Sequence, residues 1–443
     1  MNISKHLLQK YNDKNSILVI SGFPKRNEKH SQGDCGVSSF AKNSLSALQK
    51  ENFQRQIVVL TMTTGDKEEA YEENNMLIAR VFKRNQPASY FNLLKTINLF
   101  NKTKTVMVEF EFSSFGDLPM TISLVPLIFA LRIFNKEIVI VMHQVLFDLN
   151  KLYGHIGMVK NSFKSSIFSF GLKWFYKIIS LPAKKIVVLE EEFRIRLSKL
   201  IGFNKIVTIP HGVDETINWS DRKKARKTLG YHENDFVILY FGFLTWYKGV
   251  DFLINTFKNI KKLNGRNIKI LIAGGSSFTQ AEKSHYKKFI NKVTTLASLN
   301  SNIKITGFVK EQDMSKMYAA SDLVTFPYRT CMSSSGPLSL ALSNKKPFIF
   351  SKNLENLLKT NDYKDVSTLT DVLPEELMFD FNSKSLINLV KKTMQKKAIE
   401  KLTKFSSTLS ERRSFNNLAV FYDELLATDL KFNLSPSMLS IAE

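Results

Sequence analysis

"ILYFGFLTWYKGVDFLINTF" (Ile238–Phe257) decides how this chain reads. It opens as a β-branched and aromatic run, breaks at Gly242, and resumes from Val250 as apolar residues at helical spacing. Strand, tight turn and amphipathic helix in such quick succession are the unit from which parallel sheets are built. The same alternation extends both ways. Upstream, "SILVISG", "RQIVVLTM", "TVMVEFEF", "EIVIVMH", "KIVVLEE" and "KIVTIPHG" read as strands between helical stretches. From "FVILYFG" onward follow "IKILIAGG", "IKITGFV", "DLVTFPY" and "PFIFS". The expected fold class is α/β, with two Rossmann-like, doubly wound parallel sheets. The first domain is drawn over residues 1–213 and the second over 214–411, joined near the charged segment "DRKKARKTLGYHEND" (Asp221–Asp235). A closing helix over 412–430 is expected to cross back to the first domain.

Bulk properties agree. A chain of 443 residues exceeds what one core usually supports, and 44% hydrophobic with 12% aromatic residues argues against disorder. Two cysteines, Cys35 and Cys331, allow neither a disulfide framework nor a zinc site, and the histidines are scattered. No metal is expected. The formal charge of +23 is spread along the chain as lysine, without a compact arginine cluster, zinc-finger spacing or RNP-like aromatic pattern. That argues against nucleic acid and leaves anionic lipid surfaces and phosphate-bearing ligands. The opening "MNISKHLLQKYNDKNS" is too polar for a secretory signal, and "MTISLVPLIFALRIF" (Met120–Phe134) is too short to span a bilayer. A cytoplasmic protein, soluble or peripheral on the inner face of the membrane, is the expectation.

Open parallel sheets bind ligands beyond the carboxyl ends of their strands, and the candidate residues fall there. Lys248 sits in the turn after a strand and just before a helix, where it could reach a phosphate or simply be solvated. "SSSGPLSLALSNKKP" (Ser333–Pro347) reads as a loop opening a short helix. Ser333, Ser334 and Ser335 are N-cap types and Pro337 suits the first turn. The backbone N–H groups of Leu338 and Ser339 are expected to be bare on the positive end of that helix. "GDCGVSSFAKNSL" (Gly33–Leu45) is a glycine loop without a full phosphate-loop pattern. His143 ends the apolar strand "VIVMH"; on pattern alone a structural role leads. "IPHGVDE" (Ile209–Glu215) is read as an interdomain turn, including its His211.

Taken in order, "CGVSSFAKNSLSAL", "VEFEFSSFG", His143, "IPHGVDE", "YFGFLTWYKGVDFLINTF", "GFVKEQDMSKMYAASDLVTFPYR" and "SSSGPLSLALSNKKPFIFS" cover nearly all of the chain. In this the chain resembles the large retaining family of mannosyl- and glucosyltransferases (glycosyl transferases group 1), of GT-B fold. The resemblance implies a hexosyltransferase that moves a sugar from a nucleotide-diphosphate donor to a glycan or lipid-linked acceptor, in cell-surface polysaccharide or glycoconjugate synthesis. It implies no cofactor beyond the nucleotide sugar. Lys248 would supply positive charge to the departing diphosphate, and Gly242, Ser335, Gly336, Leu338 and Ser339 would line it. Gly36 and Val37 would approach the donor phosphate or acceptor, and Phe308 and Val309 would flank the nucleobase, unless they are core. His143 would hydrogen-bond the transferred sugar; Glu111 would position the acceptor or serve only the strand end.

Departures are equally plain. The family's two glutamates, eight positions apart, correspond here to Met332 and Leu340, so the chain resembles a Ser-Gly variant and its ribose contact is unassigned. A usual arginine is Phe243, and a usual glycine after the helix is Lys345. If Lys345 adopts a left-handed conformation, that should cost about 1 kcal/mol. These losses also fit a degenerate, non-catalytic subunit or scaffold.

"KNSFKSSIFSFGLKWFYKIISLPAKK" (Lys160–Lys185) interleaves large apolar residues with lysines at 160, 164, 173, 177, 184 and 185. It reads either as a helix packed under the sheet, which its apolar density favours, or as a surface resting on an anionic leaflet.

Overall fold

The computed structural model describes residues 3–28, 36–50, 55–65, 67–215 and 220–427. They form two compact units. One comprises the chain up to Phe147, then Phe168–Gly212 and the stretch from Phe415; the other comprises Asp148–Ile167 and Val213–Ser414.

The first unit is built on an eight-stranded sheet. Its strands are β1 (Ile17–Ile20), β2 (Ile57–Met62), β3 (Glu69–Glu73), β4 (Met76–Phe82), β5 (Thr105–Phe110), β6 (Glu137–Met142), β7 (Lys185–Val188) and β8 (Ile206–Thr208). Their order is β3-β4-β2-β1-β5-β6-β7-β8, so the chain reverses direction at the β1/β5 pair. All pairs are parallel except β3–β4. Alternate residues such as Val19, Val59, Met107 and Val139 pack against helix Gly36–Leu48 and the closing helix Phe415–Leu426 in one buried cluster. Strands covered on both faces must be apolar throughout, which is why they read as unbroken Val/Ile runs.

The second unit has a seven-stranded sheet of β9 (Phe236–Phe241), β10 (Lys262–Leu263), β11 (Arg266–Ala273), β12 (Ile303–Ile305), β13 (Leu323–Phe326), β14 (Phe348–Ser351) and β15 (Met378–Phe379). The order is β10-β11-β9-β13-β14-β15, with β12 on β11. Only the β10–β11 pair is antiparallel. The two sheets are therefore mixed rather than purely parallel, each carrying one antiparallel pair.

Candidate functional site

Three strand ends of the second sheet meet at glycines. Just past β9 lies Gly242, past β11 lie Gly274 and Gly275, and past β12 lies Gly307. Gly274 and Gly307 form a bridge, and the Gly242 N–H donates to the Ala273 carbonyl. A Cβ on Gly274 would sit 1.9 Å from the Gly242 oxygen, and one on Gly275 only 2.8 Å from the Phe308 nitrogen. Backbones approach this closely only where there is no side chain. Phe308 stands beside this glycine seam with half its surface exposed, whereas Val309 is buried.

Lys248 is brought to the same edge by a clamped turn. It closes a 3-10 turn, Trp246–Lys248, before helix Val250–Phe257. Gly249 (φ 72°) lets the turn pass the end of β13, where a Cβ would lie 1.9 Å from the Pro327 oxygen. Arg329 holds the turn from below. Its guanidinium donates to both Asp251 carboxylate oxygens at 2.8 and 2.9 Å and to the Trp246 carbonyl, and lies 4.7 Å from the Trp246 ring. Such a bidentate fork fixes geometry as well as charge. The buried Lys248 ammonium then lies 3.0 Å from where a Gly242 Cβ would be, and Pro337 Cγ lies 3.1 Å from the same point. Lysine, strand-end glycine and the first turn of helix Gly336–Ser343 thus converge.

That helix start is not bare in the way the sequence suggested. Ser335 caps it: its Oγ accepts from Leu338 N–H at 3.3 Å, and its carbonyl accepts from the Leu338 and Ser339 N–H groups at 3.0 and 3.1 Å. The Tyr328 hydroxyl shares a hydrogen bond with Ser335 Oγ, and Tyr318 donates to the Pro337 carbonyl. The reason is chemical: a serine cap satisfies the very amides it precedes. What remains open is the space at Gly336, where an added Cβ would meet nothing within 4 Å. Beyond the helix, Lys345 does adopt the left-handed region (φ 50°).

A histidine not singled out in the sequence joins this unit. Segment Asp148–Ile167 packs on the Lys248 turn, with the Tyr153 ring edge-on to Trp246 and the His155 ring against Tyr247. Gln280 Nε2 lies 3.2 Å from His155 Nε2, and His285 Nε2 donates to the His155 carbonyl. Burial, followed by the charges of Lys283, His285 and Lys248, pushes His155 down to about 4, so it is neutral near pH 7. Among the described residues, His155 Nδ1, Gln280 Oε1 and Thr245 Oγ1 are buried without a hydrogen-bond partner. No local pattern in "YGHIG" announces this role.

In the first unit, His143 is held by a partner the sequence reading passed over. Its Nε2 lies 2.7 Å from Glu109 Oε2, and both side chains are buried. Glu109 is in register with Val141 on β6, so it shares a sheet face with His143 two residues further on. Phe40, on helix Gly36–Leu48, packs edge-on to the His143 ring at 4.7 Å. An acid inside the apolar run "TVMVEF" was the available signal, since a buried carboxylate needs a partner. Glu111 lies beyond the strand, half-buried, at the N-cap position of a short helix (Phe112–Phe115) that its side chain does not cap. Gly36 opens its helix with nothing within 4 Å of an added Cβ, whereas the Val37 side chain is core. Gly33 and Cys35 lie outside the described residues. His211 packs on Phe40 and Phe415, and its Nδ1 donates to the Gly212 carbonyl.

A cavity of about 870 Å³ opens elsewhere, at the amino ends of β13 and β14, lined by Arg222, Asp322 and Lys346. None of the residues described above except Lys345 lines it. Among the described residues no group of His, Cys, Asp and Glu is arranged to hold a metal ion.

The comparisons with known proteins fit this geometry. Residues 221–361, which hold Gly242, Lys248 and the Ser335–Ser339 loop, match the family model described as Glycosyl transferases group 1. A Methanocaldococcus jannaschii protein described as an uncharacterized glycosyltransferase is 24% identical over 129 residues, 28% of this chain and 30% of that protein. The chain thus spans under a third of that relative's length in the match. Whole-chain likeness comes from solved structures. Sucrose-phosphate synthase of Thermosynechococcus elongatus superposes with a TM-score of 0.65 at 14% identity, covering 93% of this chain and 98% of that one. HepE of Anabaena, solved with UDP and glucose, gives 0.62 at 15% identity, covering 93% and 99%. A glycosyltransferase of Rickettsia africae gives 0.63 at 16% identity, covering 94% and 98%. The chain has the GT-B fold of these solved structures, and its residues 221–361 are similar to the Glycosyl transferases group 1 family.

Proposed function

We propose that the chain is a retaining glycosyltransferase that moves a mannose- or glucose-type sugar from a nucleoside-diphosphate donor to a glycan or lipid-linked acceptor. One observation carries this reading: Lys248, Gly242 and the start of helix Gly336–Ser343 converge on one point at the carboxyl edge of the second sheet. As the sugar–oxygen bond breaks, negative charge grows on the leaving diphosphate. A buried ammonium and a helix N-terminus placed in advance stabilise that charge without reorganising. The acceptor hydroxyl attacks from the side the diphosphate leaves, and a phosphate oxygen takes its proton, so configuration is retained and no side-chain base is required. Phe308 flanks the base, and Gly36 and the Val37 backbone approach the donor phosphate or acceptor.

His143 serves the sugar. Glu109 engages its Nε2, which leaves Nδ1 for a hydroxyl of the transferred group. The solved relative that holds UDP and glucose supports a nucleotide-sugar donor. Synthesis of cell-surface polysaccharide at the cytoplasmic face of the membrane is the setting we propose.

The test is transfer from a panel of nucleotide sugars by the whole protein. Product with retained anomeric configuration supports the reading; no product with any donor contradicts it. Loss of the paired glutamates at Met332 and Leu340 favours a second reading, a degenerate subunit. That reading predicts nucleotide binding, if any, without turnover.

A further inference from the structure

We propose that helix Phe163–Ser180 is a membrane-docking element that lays an apolar stripe into an anionic lipid surface. Phe163, Ile167, Phe170 and Trp174 follow one another at helical spacing and are 82, 53, 63 and 47% exposed. Leu181, just beyond the helix, continues the line and is also exposed.

The helix is apolar on two faces. Its buried face carries Ser165, Ser169, Tyr176 and Ile179. Phe175 packs on Phe110 and Phe112, and the Tyr176 hydroxyl accepts from Leu146 N–H. The fold's demand for core is met by that side, so the stripe of larger apolar residues is not needed under the sheet. The packed-helix reading that the sequence favoured holds for that face; the stripe lies outside it.

Charge selects the occupant. At about 100° per residue, Lys164 falls on one flank of the stripe and Lys173 and Lys177 on the other. Lys177 Nζ lies 5.2 Å from the Trp174 ring. Between Asp148 and Glu190 there are seven lysines and no acid. Right-handed crossovers place the helices that join β5 to β6 and β6 to β7 on one face of the sheet. The neighbouring helix Leu124–Ile133 exposes Phe129 and Ile133 there, and residues 118–136 are also free of acids. A second copy of the chain is a poor fit, because a two-fold interface would set lysine rim against lysine rim. An anionic bilayer takes both parts: apolar residues and tryptophan enter the headgroup boundary while lysines pair with lipid phosphates. Docking stands on this surface alone. Its use, bringing a lipid-linked acceptor to the enzyme, rests on the glycosyltransferase reading.

Vesicle flotation of the whole protein tests the inference, with no donor or acceptor present. The protein should partition onto vesicles containing phosphatidylglycerol, not onto pure phosphatidylcholine, and salt should weaken the binding. Each lysine near such a surface is worth about fivefold in partitioning. Replacing Lys164, Lys173 and Lys177 by glutamine together should therefore cost roughly 100-fold. Phe170→Glu with Trp174→Glu should abolish flotation while leaving the melting temperature unchanged, since both side chains are exposed. Equal binding to both vesicle types, no binding, or a lipid-free dimer broken by the same substitutions would overturn it. Because the readout needs no turnover, a failed transfer assay would leave this result standing, and the converse also holds.

Discussion

The carboxyl edges of the two sheets are finished differently. In the second unit the edge is stripped to backbone: glycines at the ends of β9, β11 and β12, one clamped lysine and a serine-capped helix start with open space at Gly336. In the first unit the edge carries a buried side-chain pair, His143 on Glu109, walled by Phe40. A glycine edge admits something broad and charged against the chain itself. An imidazole fixed by a carboxylate instead presents one atom in one direction. On the function proposed above, two halves of similar topology divide between holding an anion and orienting a neutral group.

The sharpest way to break this contrast is Lys248→Ala. The lost charge should lower transfer by on the order of 100-fold or more, with the fold intact, because it acts where the leaving diphosphate develops charge. Unchanged kcat would remove the second unit's cation from the chemistry. Next, Glu109→Gln should lower kcat by about tenfold through a misdirected His143, with nucleotide affinity unchanged. If nucleotide affinity falls instead, the first unit's pair belongs to anion binding and the division fails.

The smallest effect is in stability. His155 has its folded pKa pushed below the ordinary 6.5, to about 4. The unfolded chain therefore takes up the proton first, and this contribution is present above about 6.5 and lost as pH falls toward 4. Between about pH 7 and 5.5 the wild type should lose about 1 kcal/mol more than His155→Gln, read from denaturant unfolding at each pH. Parallel pH profiles would mean His155 is not buried neutral.

Much of this was legible in the sequence because buried parallel strands must be apolar on both faces. The runs that became β1, β2, β5, β6 and β9 could hardly be read otherwise. β3 was missed because "EAYEE" is polar, whereas β4, "MLIARVF", carries the same apolar signal as the strands that were read; Asn74 and Asn75, both at positive φ, mark the hairpin turn between them. Lys248 was visible as a charged residue in the turn after a strand, and Gly336 in a serine-rich loop that opens a helix. Glu109 was passed over for the more exposed Glu111, since a single chain does not reveal which acid faces a histidine on the next strand. The engaged amides of Leu338 and Ser339 were misjudged because capping was counted as leaving them bare. His155 could not be found, as its neighbours Tyr247, Gln280 and His285 lie far along the chain.

The central claim is that the second unit's glycine edge holds a nucleoside diphosphate. Titrating the wild type, Gly336→Val and His143→Ala with UDP, GDP and ADP, read by thermal shift, tests it most directly. At 100 times its dissociation constant a bound ligand should stabilise the protein by about 2.7 kcal/mol. The account predicts a shift with at least one diphosphate, retained in His143→Ala and weakened about tenfold or more in Gly336→Val, whose side chain would fill the open space. No shift with any of the three, or equal loss in both variants, would contradict it.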